Sequence, residues 1–157
     1  MLRTIVTTLE GKLGSFLRYG YYGPRLSHER GYFTSMPGFV IEEAAKVAIG
    51  RRCGFNRGVY ITASRGITIG DDVIIGAYTV LRDADHGTEP GITIKDQPLK
   101  TDGIWIGNDV WIGAHCVILK GTVIGNGAVI GANSLVKGKV PANEVWVGSP
   151  ARKLRSR

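Results

Sequence analysis

Isoleucine returns every sixth residue through the second half of this chain. The clearest run reads IGNDVW, IGAHCV, ILKGTV, IGNGAV, IGANSL, with Ile106, Ile112, Ile118, Ile124 and Ile130 in one frame. Glycine follows four of these five isoleucines, and a small or β-branched residue stands four positions after each: Val110, Cys116, Thr122, Ala128, Ser134. The same frame recurs upstream at Ile49, Phe55 and Ile61, then at Ile69, Ile75 and Leu81. Six is not a helical period. At about 100° per residue, successive isoleucines would point to three sides of a helix. Six is a multiple of the strand period of two, so short strands joined by glycine-permitted turns fit it. The β-branched bias agrees. Strands this short are not stable alone, so the units must stack as the coils of a β-solenoid.

The chain's 157 residues suffice for one domain with a core, and a hydrophobic content of 43% argues against disorder. The 23 glycines show no period of three, and the six-residue repeat accounts for most of them. The net charge of +7 favours an anionic partner. That charge is scattered except at Arg51/Arg52 and in the tail, at Arg152, Lys153, Arg155 and Arg157. No basic stripe alternates with aromatics, which ranks nucleic acid low. Cys53 and Cys116, the two cysteines, make no disulfide framework and both fall on the small repeat position, so they read as core residues. No membrane-length apolar run, signal peptide or N-x-[ST] sequon is visible, which leaves a cytoplasmic location as the default expectation. GNGAVIG at 125–131 has its third glycine one residue too late for a dinucleotide fingerprint and sits inside the repeat.

Two regions depart from the repeat. Residues 1–45 form a lead-in to a repeat domain at 46–157. Within it, Leu2, Ile5, Val6, Leu9, Leu13, Phe16 and Leu17 recur at helical spacing, weakened by Gly11 and Gly14. The expectation over 2–17 is a helix packed on its own domain or on a neighbouring subunit. A membrane-surface helix is disfavoured because few basic residues lie on the polar face. Residues 18–45 read as an irregular, extended segment, with His28 solvated or locally bonded. The second departure, Arg82–Gly103, breaks the frame for about a coil's length and opens on RDADHG. An insertion there reads as a loop extruded from one coil, a usual seat of function.

The consecutive repeats resemble the hexapeptide-repeat acyltransferases over about residues 46–157. That resemblance implies a left-handed parallel β-helix with three hexapeptides per triangular coil. IWIGNDVWIGAHCVILKGTVIGNGAVIGANSLV followed by GSPARKLR is similar to the sugar O-acetyltransferase branch, which includes the galactoside and maltose enzymes. The short chain and its DADHG loop look closest to enzymes that O-acetylate bacterial surface polysaccharides or their precursors (capsule, exopolysaccharide or lipopolysaccharide).

The resemblance implies roles residue by residue. His86, where the coil opens, matches the family's general base. Trp111 would flank the pantetheine arm of acetyl-CoA, and Ala114 and Ala132 would offer it backbone groups and space. Lys137 lies near the adenosine end, although KGK at 137–139 departs from the TKD of many relatives, and Lys139 is expected to be plain surface. Arg152 and Arg155, in the tail at 150–157, match basic residues that approach coenzyme phosphates. A homotrimer with sites between subunits is implied, and no metal is required. A zinc site like that of the solenoid γ-class carbonic anhydrases would need HxxxxH and a third ligand, whereas the histidines here are 28, 86 and 115.

In the implied mechanism neutral His86 takes the proton of an acceptor hydroxyl as it attacks the thioester. A backbone N–H holds the oxyanion, and the coenzyme thiolate leaves. Asp83, Asp85 or a backbone carbonyl could orient the imidazole, with Asp83 preferred. Asp85 and Arg82 are candidates for contact with the acceptor sugar. Acceptor specificity is expected in 83–103 and 18–45. N-acetylation of an amino sugar and a non-catalytic β-solenoid scaffold are the competing readings.

Overall fold

The computed structural model describes residues 2–29 and 31–157. Two helices lead: α1 (Leu2–Thr8) and α2 (Gly11–Tyr22). Three sheets of parallel strands follow, forming the three faces of a left-handed parallel β-helix of about six turns. The first face stacks strands 28–29, 47–49, 67–69, 104–106, 123–124 and 139–140. The second stacks 34–35, 54–55, 74–75, 111–112, 129–130 and 144–148, and the tail strand 151–156 adds to it in antiparallel sense. The third stacks 40–42, 60–62, 80–82, 117–119 and 135–136.

The six-residue frame becomes three inward columns. Ile49, Ile69, Ile106 and Ile124 align on the first face. Phe55, Ile75, Ile112 and Ile130 align on the second, and Ile61, Leu81, Ile118 and Val136 on the third. All are buried, and their apolar surface is the main stabilising term of the stack. Cys53 and Cys116 are buried among them, as their repeat position implies. Ile106 pairs with Ile124, a coil of 18 residues, whereas Ile49 pairs with Ile69, a coil of 20. The two extra residues lie at the third corner, where the third face turns into the first.

The lead-in differs from its expected form. The coils begin at residue 28, not 46, because strands 28–29, 34–35 and 40–42 make a first turn of the solenoid. Its frame positions include Ser35, opposite Phe55, and Ile41, opposite Ile61, while Phe33 and Phe39 fill the positions that later coils give to small or β-branched residues, which hid the frame. Phe39 stacks on Phe55 at 4.7 Å, and Tyr22 packs edge-on against Phe39, closing the base. The single helix expected over 2–17 is two helices, broken where Gly11 takes a φ of 70°. The side chain of Leu2, expected on its apolar face, lies outside the described residues, as do Met1 and Arg30 of the lead-in.

The corners follow a rule. Arg52, Asp72 and Asp109 at the first corner, and Tyr78, His115 and Asn133 at the second, all have φ between 54° and 61°. This is the left-handed region, where β-branched residues are strongly disfavoured. At the first corner side chains also cap the backbone. The Arg51 N–H donates to Asp71 Oδ1 (2.9 Å), the Asp71 N–H to Asn108 Oδ1 (2.8 Å), and the Asn108 N–H to Asn126 Oδ1 (2.8 Å). A Cβ at Gly107 would overlap the Asn126 amide oxygen, so glycine there is required by close approach.

Candidate active site

The third corner of the third coil opens into the insertion. It is an antiparallel hairpin, Ala84–His86 against Leu99–Thr101, with His86 opposite Leu99 and Asp85 opposite Lys100. Asp83 sits at its root and is fully buried. Its carboxylate accepts the N–H groups of Ser64 (2.6 Å), Arg65 (2.8 Å) and Gly66 (2.7 Å), the widened corner of the preceding coil. Three charge-assisted bonds on one carboxylate make a strong anchor. This corrects the reading of Asp83 as the orienting partner of His86: its oxygens are committed to the backbone of another coil.

Asp85 is exposed, with Lys120 Nζ 3.4 Å from its carboxylate. Arg82 folds back, donating from Nε to the Ala84 carbonyl (2.9 Å), which braces the hairpin's first strand. Both are therefore occupied within the chain, although each remains exposed. His86 is exposed at the strand end, and its imidazole takes part in none of the side-chain hydrogen bonds among the described residues.

Beyond His86 the loop is fixed from within by Gln97, which sequence reasoning missed. The buried Gln97 amide accepts the Glu89 N–H (2.8 Å) and donates to the carbonyls of Glu89 (3.1 Å) and Ile92 (2.9 Å). A Cβ at Gly87 would lie 2.5 Å from the Gln97 amide oxygen, so the glycine beside His86 makes room for this pin. Lys100 closes the loop's outside with an ion pair to Glu89 at 2.7 Å. No repeat logic marks a glutamine in a loop for this role.

The residues expected to meet the coenzyme fall on other parts of the prism. Trp111 projects from the second face, 57% exposed, in register with Ile74 below and Val129 above. Ala114 and Ala132 follow at the second corner, with Ala77 in the equivalent place one coil earlier. Here alanine stands where the first corner has Asp71, Asn108 and Asn126, so its methyl group cannot accept the backbone N–H of the preceding coil. The signal was present in the sequence: IGDD, IGND and IGNG alternate with IGAY, IGAH and IGAN. Beside this bare column, Tyr78 and His115 stack with ring centroids 5.3 Å apart.

Arg152 and Arg155 lie exposed on the tail strand against residues 144–148, each guanidinium bonded to a backbone carbonyl within one residue, at 2.8 and 2.9 Å. Lys137 is exposed at the third corner, on the edge that carries the hairpin, and Lys139 is exposed on the first face. His86 and Lys137 thus share one edge, while Trp111, Ala114, Ala132, Arg152 and Arg155 belong to the second face and second corner. A single chain does not gather them into one cleft. His28 begins the first face and lines a shallow cavity of about 270 Å³ with Trp105 and Asn108.

Comparison with known proteins bears on this geometry. A family profile described as bacterial transferase hexapeptide (six repeats) matches residues 103–138. The chain is 36% identical over 105 residues to WbbJ of Escherichia coli (strain K12), described provisionally as a lipopolysaccharide biosynthesis O-acetyl transferase. The alignment covers 62% of this chain and 54% of WbbJ, so the chain spans about half the length of that relative. A hexapeptide-repeat-containing acetyltransferase from Vibrio cholerae superposes with a TM-score of 0.88 at 31% identity, covering 99% of this chain and 86% of that one. A galactoside acetyltransferase in complex with coenzyme A superposes with a TM-score of 0.85 at 28% identity, covering 99% and 76%.

Proposed function

The chain belongs to the hexapeptide-repeat acetyltransferases, and on that premise we propose that it transfers the acetyl group of acetyl-CoA to a sugar hydroxyl of a bacterial surface polysaccharide or its precursor. The observation that carries this reading is His86, exposed on a hairpin that Asp83 and Gln97 fix from below and within, with its imidazole unengaged among the described residues. A rigidly held, unpartnered imidazole suits a general base. The described activity of WbbJ and the coenzyme bound to the galactoside enzyme support the substrate classes.

The imidazole nitrogen accepts the proton of the acceptor hydroxyl as that oxygen bonds to the acetyl carbonyl carbon. The carbon–sulfur bond then breaks, and the departing coenzyme thiolate recovers a proton from the imidazolium. No cysteine relay is needed. Burial pushes the Cys53 thiol up to about 11 and raises Cys116 as well, so neither offers a thiolate at neutral pH. The Ala114–Ala132 column suits the pantetheine arm, because its backbone donors face no competing side chain. Trp111 provides the apolar wall, and Arg152 and Arg155 meet the phosphates.

These groups and His86 occupy different edges, so the working site forms between copies, in a homotrimer. Each hairpin, with Lys137 on its edge, faces the second corner of a neighbour.

Thiol release from acetyl-CoA across a panel of free, nucleotide-linked and lipid-linked sugars, with amino sugars included, tests the reading. His86→Ala is expected to lower turnover by about 10²–10⁴-fold while leaving coenzyme affinity and circular dichroism unchanged. Near-normal turnover in that variant removes His86 as the base. Release confined to amino sugars moves the activity to N-acetylation, and no release with any acceptor leaves a scaffold.

A further inference from the structure

The first face carries a tryptophan that its strands do not need. His28, Ala48, Thr68 and Trp105 stand in register on consecutive strands, and Val123 takes the same place above Trp105. Smaller side chains thus hold this outward position in the neighbouring coils. The Trp105 side chain is 50% exposed, so the fold gains little from its size. His28 and Trp105 are three strand spacings apart, about 14 Å. The short side chains of Ala48 and Thr68 lie between them and form the floor of a trough, with the indole as one wall. This is the cavity of about 270 Å³ on the first face. Polar groups reach it from the first corner, where Asn108 and Asn126 also line it. Asn108 Oδ1 accepts the Asp71 N–H, and Asn126 Oδ1 accepts the Asn108 N–H, both at 2.8 Å. Those bonds fix which end of each amide is oxygen, so each Nδ2 is held as a donor. Both asparagines are exposed, and neither Nδ2 has a hydrogen-bond partner among the described residues. The Thr68 hydroxyl and the His28 imidazole are likewise unengaged among them.

The chemistry of the lining selects its ligand. Among the described residues no Lys, Arg, Asp or Glu lines the cavity. A phosphate or carboxylate would find no cation there, and an ammonium no acid. A purely apolar ligand would displace water from the two amide donors and give them no acceptor. A hexopyranose ring meets both demands. Its C–H face packs on the electron-rich face of an indole, and its hydroxyl oxygens accept from amide donors. The same hydroxyls exchange hydrogen bonds with threonine and histidine. The volume lies near the lower limit of ligand sites, about 300 Å³, which suits a sugar ring better than a larger ligand. The residues proposed for acetyl transfer belong to the second face and to the second and third corners, so this trough is a separate site.

We propose that the first-face trough binds an uncharged hexopyranose unit of a glycan, with Trp105 as the stacking platform and the Asn108 and Asn126 amides as donors. The test measures binding with no acetyl-CoA present, so its failure and that of the acetyl-transfer reading are told apart. Linear gluco-, manno- and galacto-hexaoses are titrated into the full chain by calorimetry, with a hexamer of galacturonic acid as the charged comparison. At least one neutral hexaose is expected to bind, and the charged hexamer to bind about tenfold more weakly or not at all. Trp105→Ala is expected to weaken the binding by about tenfold or more. Asn126→Asp keeps the oxygen that caps the Asn108 N–H, as the Asp71 carboxylate caps that of Arg51, and removes the donor. Its expected loss is about fivefold, with the melting temperature held. If Trp105→Ala unfolds, Asn126→Asp carries the test. Binding of no neutral hexaose up to about 10 mM overturns the proposal, as does a folded Trp105→Ala variant that binds like wild type. Equal binding of the charged hexamer overturns the uncharged class. A Trp105→Ala variant whose molar mass falls by light scattering overturns it as well and assigns the face to a second copy.

Discussion

At the first corner of the prism, IGDD, IGND and IGNG set Asp71, Asn108 and Asn126 over the glycines of the preceding coils. At the second, IGAY, IGAH and IGAN put Ala77, Ala114 and Ala132 in the matching places. The backbone is the same at both, down to the left-handed residue that follows: Asp72 and Asp109 at one, Tyr78 and His115 at the other. One edge closes its N–H groups with its own side chains, while at the other the matching alanines cannot. Under the proposed function, a repeat thereby separates stability from binding by changing one residue per turn, with no change in the path of the chain. The third corner goes further. It is widened in two coils and opened in the next, and the carboxylate of Asp83 holds the opening shut against the coil below.

Asp83 is where this contrast can be broken most severely. Asp83→Ala strips the acceptor from three N–H groups at a buried corner and is expected to cost about 3–5 kcal/mol of stability. The measurement is a urea melt, read as a shift in midpoint at constant slope. Asp83→Asn, which keeps one acceptor oxygen, should fall between. If Asp83 instead oriented His86, Asp83→Asn would distort the pH–rate profile and leave the melt in place. The expected result is the reverse: a lower midpoint, with an unchanged profile for the folded fraction.

The solenoid was legible because its period is written in large apolar side chains, each of which must fill the interior. The first coil escaped notice because Ser35 stands at a frame position and Phe33 and Phe39 stand where later coils carry small or β-branched residues. His86 stood out in the sequence as the one histidine in the break in the rhythm. The role of Asp83 did not, because it depends on N–H groups at 64–66, about a coil away in sequence and adjacent only after stacking. Gln97 was hidden for the same reason within the loop. The apolar spacing over 2–17 predicted one helix, whereas the structure has two, and which face of α2 meets the protein was decided by Arg18, whose acceptors at Val6, Leu9 and Ser35 exist only in the fold.

A milder test addresses the closed edge alone. Asn108 accepts the Asp71 N–H and passes its own N–H to Asn126, so Asn108→Ala interrupts the column at its middle. The expected loss is about 1–2 kcal/mol, since an exposed corner lets water replace part of the bond. The KM for acetyl-CoA should not move, because this edge carries no proposed coenzyme contact. A rise in KM of the same size as that caused by coenzyme-site variants would erase the distinction between the corners.

The smallest effect on the fold should come from writing the first corner into the second. In Ala114→Asn the new amide would lie over Gly76, as Asn108 lies over Gly70, and would meet the N–H of Ala77 as Asn108 meets that of Asp71. Gly76 already has the bare backbone this needs: a Cβ there would overlap the Ala114 nitrogen. The added hydrogen bond is expected to leave stability unchanged or raise it by about 1 kcal/mol. The same amide would occupy the donor proposed for the pantetheine arm and narrow the edge beside Trp111. KM for acetyl-CoA should therefore rise by about tenfold, with kcat altered little, because the group removed contributes binding shared by ground and transition states. A stabilised variant with unchanged KM would show that the bare column is not where the coenzyme lies. A destabilised one would show that the two corners are less alike than their backbones.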